Sequence, residues 1–398
     1  MRSLSCCFLT SVAALLSPAL ALGTGGKFSI VPGGKGFDRF ITIWLENQDF
    51  AKAVKDAHFA DLKREGILLT KYYAQTHPSQ PNYIASISGD YFGLDHDDPV
   101  HIPSNVSTVV DLLDTKGISF GGYFEDLPGP GYMGIASSRP SSDKWDYVRK
   151  HNPYVSFDSI TNNGTRLWSV GSFDDFQRDL AAAEIPQFVF MSPNMNHDGH
   201  NTTLEQATSW VHDFLTPLLA DTNNKNKAAL ASTLILLTFD ESEDYSQPNK
   251  IASLLLGSAV PTSLRGTEDN TFYTHYSILA SVENNWGLPN LGRYDVGANV
   301  WQFVADATGY KNPGDPDTLS GINSSVSYPG FLHSDPASRV PIPPPNLKLV
   351  GAGGQGVVDK VKHAWRKAAE ELSPYDGIGE PFDGGQWLPE YVPQVSNV

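Results

Sequence analysis

The stretch Ser232–Glu241, STLILLTFDE, constrains the fold of this chain more than any other. Thr233 to Phe239 is an almost unbroken apolar, β-rich run, the pattern of a strand buried on both faces. It stops abruptly on two adjacent carboxylates, Asp240 and Glu241. Phe37 to Leu45 (FDRFITIWL) follows the same grammar and ends on Glu46-Asn47, and Gly117 to Phe124 ends on Glu125-Asp126. Ligands of open α/β sheets bind just beyond the carboxyl ends of the strands. A buried strand ending in acids is therefore a candidate metal or catalytic site, although one such strand alone is equally well a strand meeting water.

Further strands are expected at Ile67–Tyr73, Gln187–Met191 and Ile251–Leu256. Helices are expected at Ala51–Glu65, Tyr83–Ser88, Thr108–Thr115, Phe173–Ala183, Leu204–Ala220, Tyr276–Trp286 and Ala298–Thr308. This alternation predicts an α/β fold with a mainly parallel sheet and helices on both faces. Residues 128–165, rich in Gly, Pro, Ser, Asn and Tyr, read as a loop excursion over the sheet and part of the site's rim. The main domain is expected over 22–339. A Pro-rich spacer (VPIPPPN, Val340–Asn346) and an amphipathic helix at Val357–Leu372 make a tail over 340–398, for which lid, docking arm and unattached end are all open.

Met1 to Ala21 has an early arginine, a short apolar middle and Ala19-Leu20-Ala21 at its end, which is the pattern of a secretory signal peptide. The apolar core is too short for a membrane anchor and Pro18 interrupts it. Both cysteines, Cys6 and Cys7, fall inside that segment, so the mature chain has no thiol for catalysis or zinc binding. Sequons at Asn105, Asn163, Asn201 and Asn323 suit an exported glycoprotein, extracellular or in the cell wall. A net charge of −16 argues against nucleic acid and anionic membranes as partners. It also suits an acidic medium, where carboxylates begin to protonate.

On a parallel sheet, Glu46-Asn47, Asp240-Glu241 and the loop carrying His197, Asp198 and His200 converge on one edge. The acids and the amide offer hard oxygen ligands, so a divalent cation is the natural occupant: calcium, magnesium, manganese or iron, with zinc admitted if a histidine joins. Ser79, between two prolines in a turn that opens a helix, is the candidate nucleophile, with helix N–H groups aimed at an anion. Its residue type alone favours a plain N-cap; a metal at Glu46 and Asp240 would reverse that preference. His77, His197, His200 and His275 are candidates for phosphate binding or leaving-group protonation, His197 and His200 foremost because they share a polar loop.

These residues carry a resemblance. Leu45–Asn47 (LEN), His77–Tyr83 (HPSQPNY), Asn196–His200 (NHDGH) and Phe239–Glu241 (FDE) resemble the phosphoesterase family, which contains fungal secreted acid phosphatases and phosphatidylcholine-type phospholipases C. The resemblance runs from about Phe37 to Thr308 and is strongest to the acid phosphatases. It implies an alkaline-phosphatase-like core and a covalent phospho-enzyme. Glu46, Asn47, Asp240 and Glu241 match the family's metal or phosphate ligands, Ser79 its hydroxyl nucleophile, and His197 its loop histidine. In the phospholipase branch the nucleophile motif is typically T-x-P-N-R; here it reads S-Q-P-N-Y, with Tyr83 in place of arginine. That departure favours small phosphate monoesters as substrates over phospholipids. The expected function is thus a secreted, metal-dependent acid phosphatase with a phosphoseryl intermediate. A phospholipase C, or an inactive metal-stabilised extracellular binding protein, is the alternative.

Overall fold

The computed structural model describes residues 30–31, 33–220, 228–315, 327–368 and 373–378. The signal segment at 1–21, Asn323, and residues 369–372 of the expected tail helix lie outside the described residues. The strands are β1 (Arg39–Leu45), β2 (Ile67–Tyr73), β3 (Phe120–Phe124), β4 (Ala136–Ser137), β5 (Tyr147–Val148), β6 (Val170–Ser172), β7 (Phe188–Ser192), β8 (Thr233–Phe239), β9 (Lys250–Leu256) and β10 (Thr267–Thr274). Eight of them form one sheet in the order β10-β2-β9-β8-β1-β7-β3-β6, and β4 pairs with β5 in a separate hairpin.

Every neighbouring pair in the large sheet is parallel except the two made by β9, which runs against β8 and β2. All sheet strands but β9 therefore end on the same edge. At the centre, β1 and β8 are in register from Arg39–Thr233 to Leu45–Phe239, so Glu46 and Asp240 leave the sheet side by side. All residues of both strands are buried. Such a strand has no polar face to place in water, which is why its sequence is continuously apolar rather than alternating.

Side chains alternate across a strand. From β1, Phe40 meets Phe188 and Trp301, while Trp44 meets Tyr83 and His275, which places the helices Ser79–Ser88, Tyr276–Trp286 and Gln302–Thr308 on that face. On the other face Phe239 meets Phe59 of the helix Ala57–Arg64, which packs against Leu204–Leu219. The fold is α/β, a mainly parallel sheet between two helical layers.

Two strands of the large sheet escaped the sequence pattern. β10 (TEDNTFYT) is an edge strand with a polar, partly exposed first half, and β6 is a three-residue edge strand. The helix expected over Ala51–Glu65 is broken into Phe50–Ala53 and Ala57–Arg64, because the Asp56 carboxylate accepts from Phe59 N at 3.0 Å and caps a new start. The 128–165 excursion is folded: β4, β5, the 3-10 turns Arg149–His151 and Pro153–Ser156, and short helices at Asp158–Thr161 and Gly164–Leu167. Buried Tyr147, Tyr154, Val155 and Phe157 hold it against the core.

The tail also packs on the core. Val357, Val358, Val361 and Tyr375 are buried, Trp365 Nε1 donates to Asn105 O at 3.0 Å, and the Tyr375 hydroxyl reaches Asp90. No helix among the described residues is long and apolar enough to cross a membrane.

Candidate active site

Glu46, Asp240 and Glu241 are fully buried at the ends of β1 and β8. Asn47 follows Glu46 in a left-handed conformation (φ 40°), one that asparagine tolerates better than most residues. That turn lets Asn47 N donate to Asp240 Oδ1 at 3.0 Å and its side-chain amide donate to Glu241 Oε1 at 2.8 Å. Asn47 Oδ1 and Asp240 Oδ2 are left buried with no donor aimed at them. Burial, then the charges of Glu46 and Glu241, push the Asp240 carboxyl well above the usual range. Burial likewise raises Glu241, against the pull of His77.

Ser79 is the first residue of the helix Ser79–Ser88, with Pro78 in the N-cap position, so it is not the cap. Its hydroxyl instead donates to Glu46 Oε2 at 2.9 Å, with Glu241 Oε1 at 3.3 Å. Asn82 holds the preceding loop: its Oδ1 accepts from Gln75 N and Thr76 N, and its amide donates to Thr76 O. Tyr83, one turn along, donates its hydroxyl to Glu46 Oε1 at 2.7 Å. The glutamate that receives Ser79 is thereby also pinned on its other oxygen.

The histidines occupy distinct places. His77 Nδ1 pairs with Glu241 Oε2, its ring stacks on Tyr245 at 3.7 Å, and its Nε2 is buried without a partner. His200 Nδ1 lies 3.3 Å from Glu46 Oε2, the oxygen that also accepts from Ser79. Gly199, at φ 106°, makes the turn that brings His200 back over Asp198, whose Oδ1 accepts from His200 N at 2.8 Å. His197 stands apart from the serine's partners: its Nδ1 is bound to Glu125 at 2.8 Å and its ring stacks on Trp210. His275 is fully buried beneath the site, bonded to Asp240 O at 2.8 Å, and burial lowers its imidazole to about 3.

Two residues that sequence reasoning missed sit at the centre. His151 Nε2 lies 3.0 Å from Glu46 Oε1 and its Nδ1 3.4 Å from Asp198 Oδ2, with the ring stacked on Tyr83. Nε2 is off the line of a hydrogen bond, so the contact with Glu46 is chiefly electrostatic. Burial would lower this imidazole, but Glu46 and Asp198 raise it to about 9. Burial would in turn raise Glu46, but His151, His200 and Lys150 hold it well below the usual carboxylate range. Lys150 Nζ lies 2.9 Å from Asp97 Oδ2 and 3.5 Å from Ser79 Oγ. Both residues belong to a 3-10 turn inside the excursion, where no periodicity flags them; the one available signal was the turn-marking Asn-Pro that follows the Lys-His pair.

Glu46, His151 and Asp198 form a buried cluster able to hold a metal ion. There, however, His151 is itself the cation facing two carboxylates. The oxygen set Glu46, Asn47, Asp240 and Glu241 is a second candidate holder, since Asn47 Oδ1 and Asp240 Oδ2 lack donors and the crowded acids repel one another.

Fold and site together define an α/β protein whose carboxyl-edge site offers a hydroxyl against buried acids and histidines. Residues 46–289 match the Phosphoesterase family, and the chain belongs to that family. It is 48% identical over 332 residues to a probable acid phosphatase of Kluyveromyces lactis, covering 83% of this chain and 76% of that one. It is 45% identical over 381 residues to a phosphate-repressible acid phosphatase of Penicillium chrysogenum, covering 95% and 87%. Among solved structures it is similar to a protein of the alkaline phosphatase superfamily from Vibrio parahaemolyticus, with TM-score 0.41 and 14% identity over 63% of this chain and 67% of that one.

Proposed function

We propose that the protein is a secreted acid phosphatase that hydrolyses phosphate monoesters through a phosphoseryl intermediate on Ser79. The observation that carries this reading is the Ser79 hydroxyl at the head of its helix, bonded to Glu46 Oε2 and within 3.3 Å of Glu241 Oε1. The phosphatase relatives support the reaction class. The amino-terminal pattern, and the exposure of Asn105 and Asn163, support an exported glycoprotein.

Glu46, held low, stays ionised and orients Ser79, whereas Glu241, raised and backed by His77, is the better proton acceptor. The Ser79 proton passes to Glu241 as Oγ attacks phosphorus in line. The bond from phosphorus to the ester oxygen breaks, and His200 donates a proton to the departing alcohol. Water then attacks the phosphoserine and gives its proton to His200, and Oγ leaves phosphorus and recovers a proton from Glu241. A divalent cation held by Glu46, Asn47, Asp240 and Glu241 would supply positive charge for the serine alkoxide and the phosphoryl oxygens. His200 takes the acid role expected of His197, because it shares an oxygen of Glu46 with Ser79 whereas His197 is engaged by Glu125.

Ser79→Ala should lose nearly all turnover of p-nitrophenyl phosphate while staying folded by circular dichroism; retained turnover would sink the assignment. Exposed Met133, Ile135, Trp145 and Trp168 on and beside the excursion favour, as a second reading, a lipid phosphodiester substrate. Comparing phosphatidylcholine cleavage with p-nitrophenyl phosphate hydrolysis separates the two.

A further inference from the structure

The first turn of the Ser79 helix offers an anion less than its position suggests. Pro81 has no N–H, and the N–H of Gln80 is given to Asp97 Oδ1 at 3.0 Å. At most one free N–H, that of Ser79, remains in the first turn for a phosphoryl oxygen. The surroundings are also strongly acidic: Glu46, Asp97, Asp240 and Glu241 all act on this spot. A phosphate monoester carries one to two negative charges, so fixed positive charge from the protein's own side chains, beside that of a bound cation, favours it here.

The side chain placed to do so is Lys150. It is little exposed (13%), and Asp97 Oδ2 holds its ammonium 2.9 Å away while that ammonium lies 3.5 Å from Ser79 Oγ. Asp97 thus bridges the ammonium and the backbone of the nucleophile's own helix. Among the described residues, no other Lys or Arg side chain hydrogen-bonds Ser79. Burial would lower the ammonium, but Glu46 and Asp97 raise it, so it stays charged across the working range. An ammonium this close to the attacking oxygen is also within reach of an oxygen on a phosphorus bonded to it.

We infer that Lys150 is a catalytic residue of this site, binding a non-bridging oxygen of the transferred phosphoryl group, and that Asp97 is its positioning residue. This rests on the phosphatase reading of Ser79. The ammonium stands where free helix N–H groups are lacking, and there it positions the phosphoryl group and offsets the charge spread over its oxygens in the transition state. It makes and breaks no covalent bond.

The test uses the full-length, metal-loaded protein with two readouts: hydrolysis of p-nitrophenyl phosphate, and affinity for inorganic phosphate by isothermal titration calorimetry. Lys150→Met should lower kcat/KM by about 10²–10³-fold, the cost typical of losing one preorganised donor. It should weaken phosphate binding about tenfold or more, and Lys150→Arg should restore most of both. Lys150→Gln, which keeps length and polarity, replaces the methionine variant if that one melts early. Hydrolysis or phosphate affinity within about threefold of wild type in a folded Met or Gln variant would overturn the inference. If the wild type shows no Ser79-dependent hydrolysis, the phosphatase reading falls, while phosphate affinity still decides the role of Lys150.

Discussion

Tyr83→Phe isolates one bond at the heart of the site. The substitution keeps the ring, which stacks on His151 at 5.1 Å and packs at a tilt against Trp44 at 4.8 Å, and deletes the hydroxyl that donates to Glu46 Oε1 at 2.7 Å. A hydrogen bond to a charged group contributes about 1.5–3 kcal/mol, and here its loss strips a donor from a fully buried carboxylate. With about 2.1 cal/mol/K of unfolding entropy per residue over a chain this long, a loss of about 2 kcal/mol lowers Tm by about 2.4 °C. Circular dichroism melts of the two proteins, with metal and after chelation, read this directly. Turnover should fall as well, because Glu46 then holds Ser79 with one oxygen free to swing. A melting temperature unchanged within about half a degree would refute the reasoning, since it would mean that Glu46 does not depend on the phenol. Tyr83→Ala also removes the stacked ring and should cost about 3–5 kcal/mol.

His151→Gln should matter most at mildly acid pH. The imidazole binds its proton more tightly folded (about 9) than unfolded (6.5), so its contribution is fully present below 6.5 and is lost as pH rises through about 9. At about 1.4 kcal/mol per pH unit that is on the order of 3 kcal/mol, read as a gap between wild-type and variant urea midpoints that closes from pH 6 to pH 9 in chelated protein. Chelation should abolish hydrolysis and lower Tm more at pH 8 than at pH 4. The reason is that the Asp240 carboxyl, pushed up by burial and its acidic neighbours, binds a proton at low pH but must ionise at high pH. An EDTA effect that shrinks with rising pH would contradict this. His200→Ala should cut kcat on an ester with a poor leaving group by about 10²-fold or more, and His197→Ala by less than about tenfold. The reverse order would return the acid role to His197.

The central fold was legible because it rests on strands that leave no choice. β8 has the bounds read from sequence, and β1, β7 and β9 differ by a residue or two, since a short apolar run without alternation suits a strand covered on both faces; β2 also has its expected bounds, although Thr70 and Lys71 are half-buried. β10 lies at the sheet edge, where one side of its ladder and part of its length meet water, so its TEDN half carries no hydrophobic signal. The acids of the site were legible for the same reason as the strands, because they are the first polar residues past buried runs. Lys150 and His151 were not, because what brings them to Ser79 is the packing of Tyr147, Tyr154 and Phe157 around a turn, and no local pattern encodes a tertiary approach. Ser79 shows the limit of residue-type preference: serine at a helix start is ordinarily a cap, yet here Pro78 holds the cap position and the hydroxyl is turned into the acids.

The most direct test of the account is to trap the intermediate. Acid quenching of the enzyme during steady-state hydrolysis of p-nitrophenyl phosphate, followed by peptide mass spectrometry, should find phosphate on the peptide carrying Ser79 and on no peptide of Ser79→Ala. Phosphate on a histidine peptide, or an active enzyme that yields no phosphorylated peptide at any quench time, would contradict it.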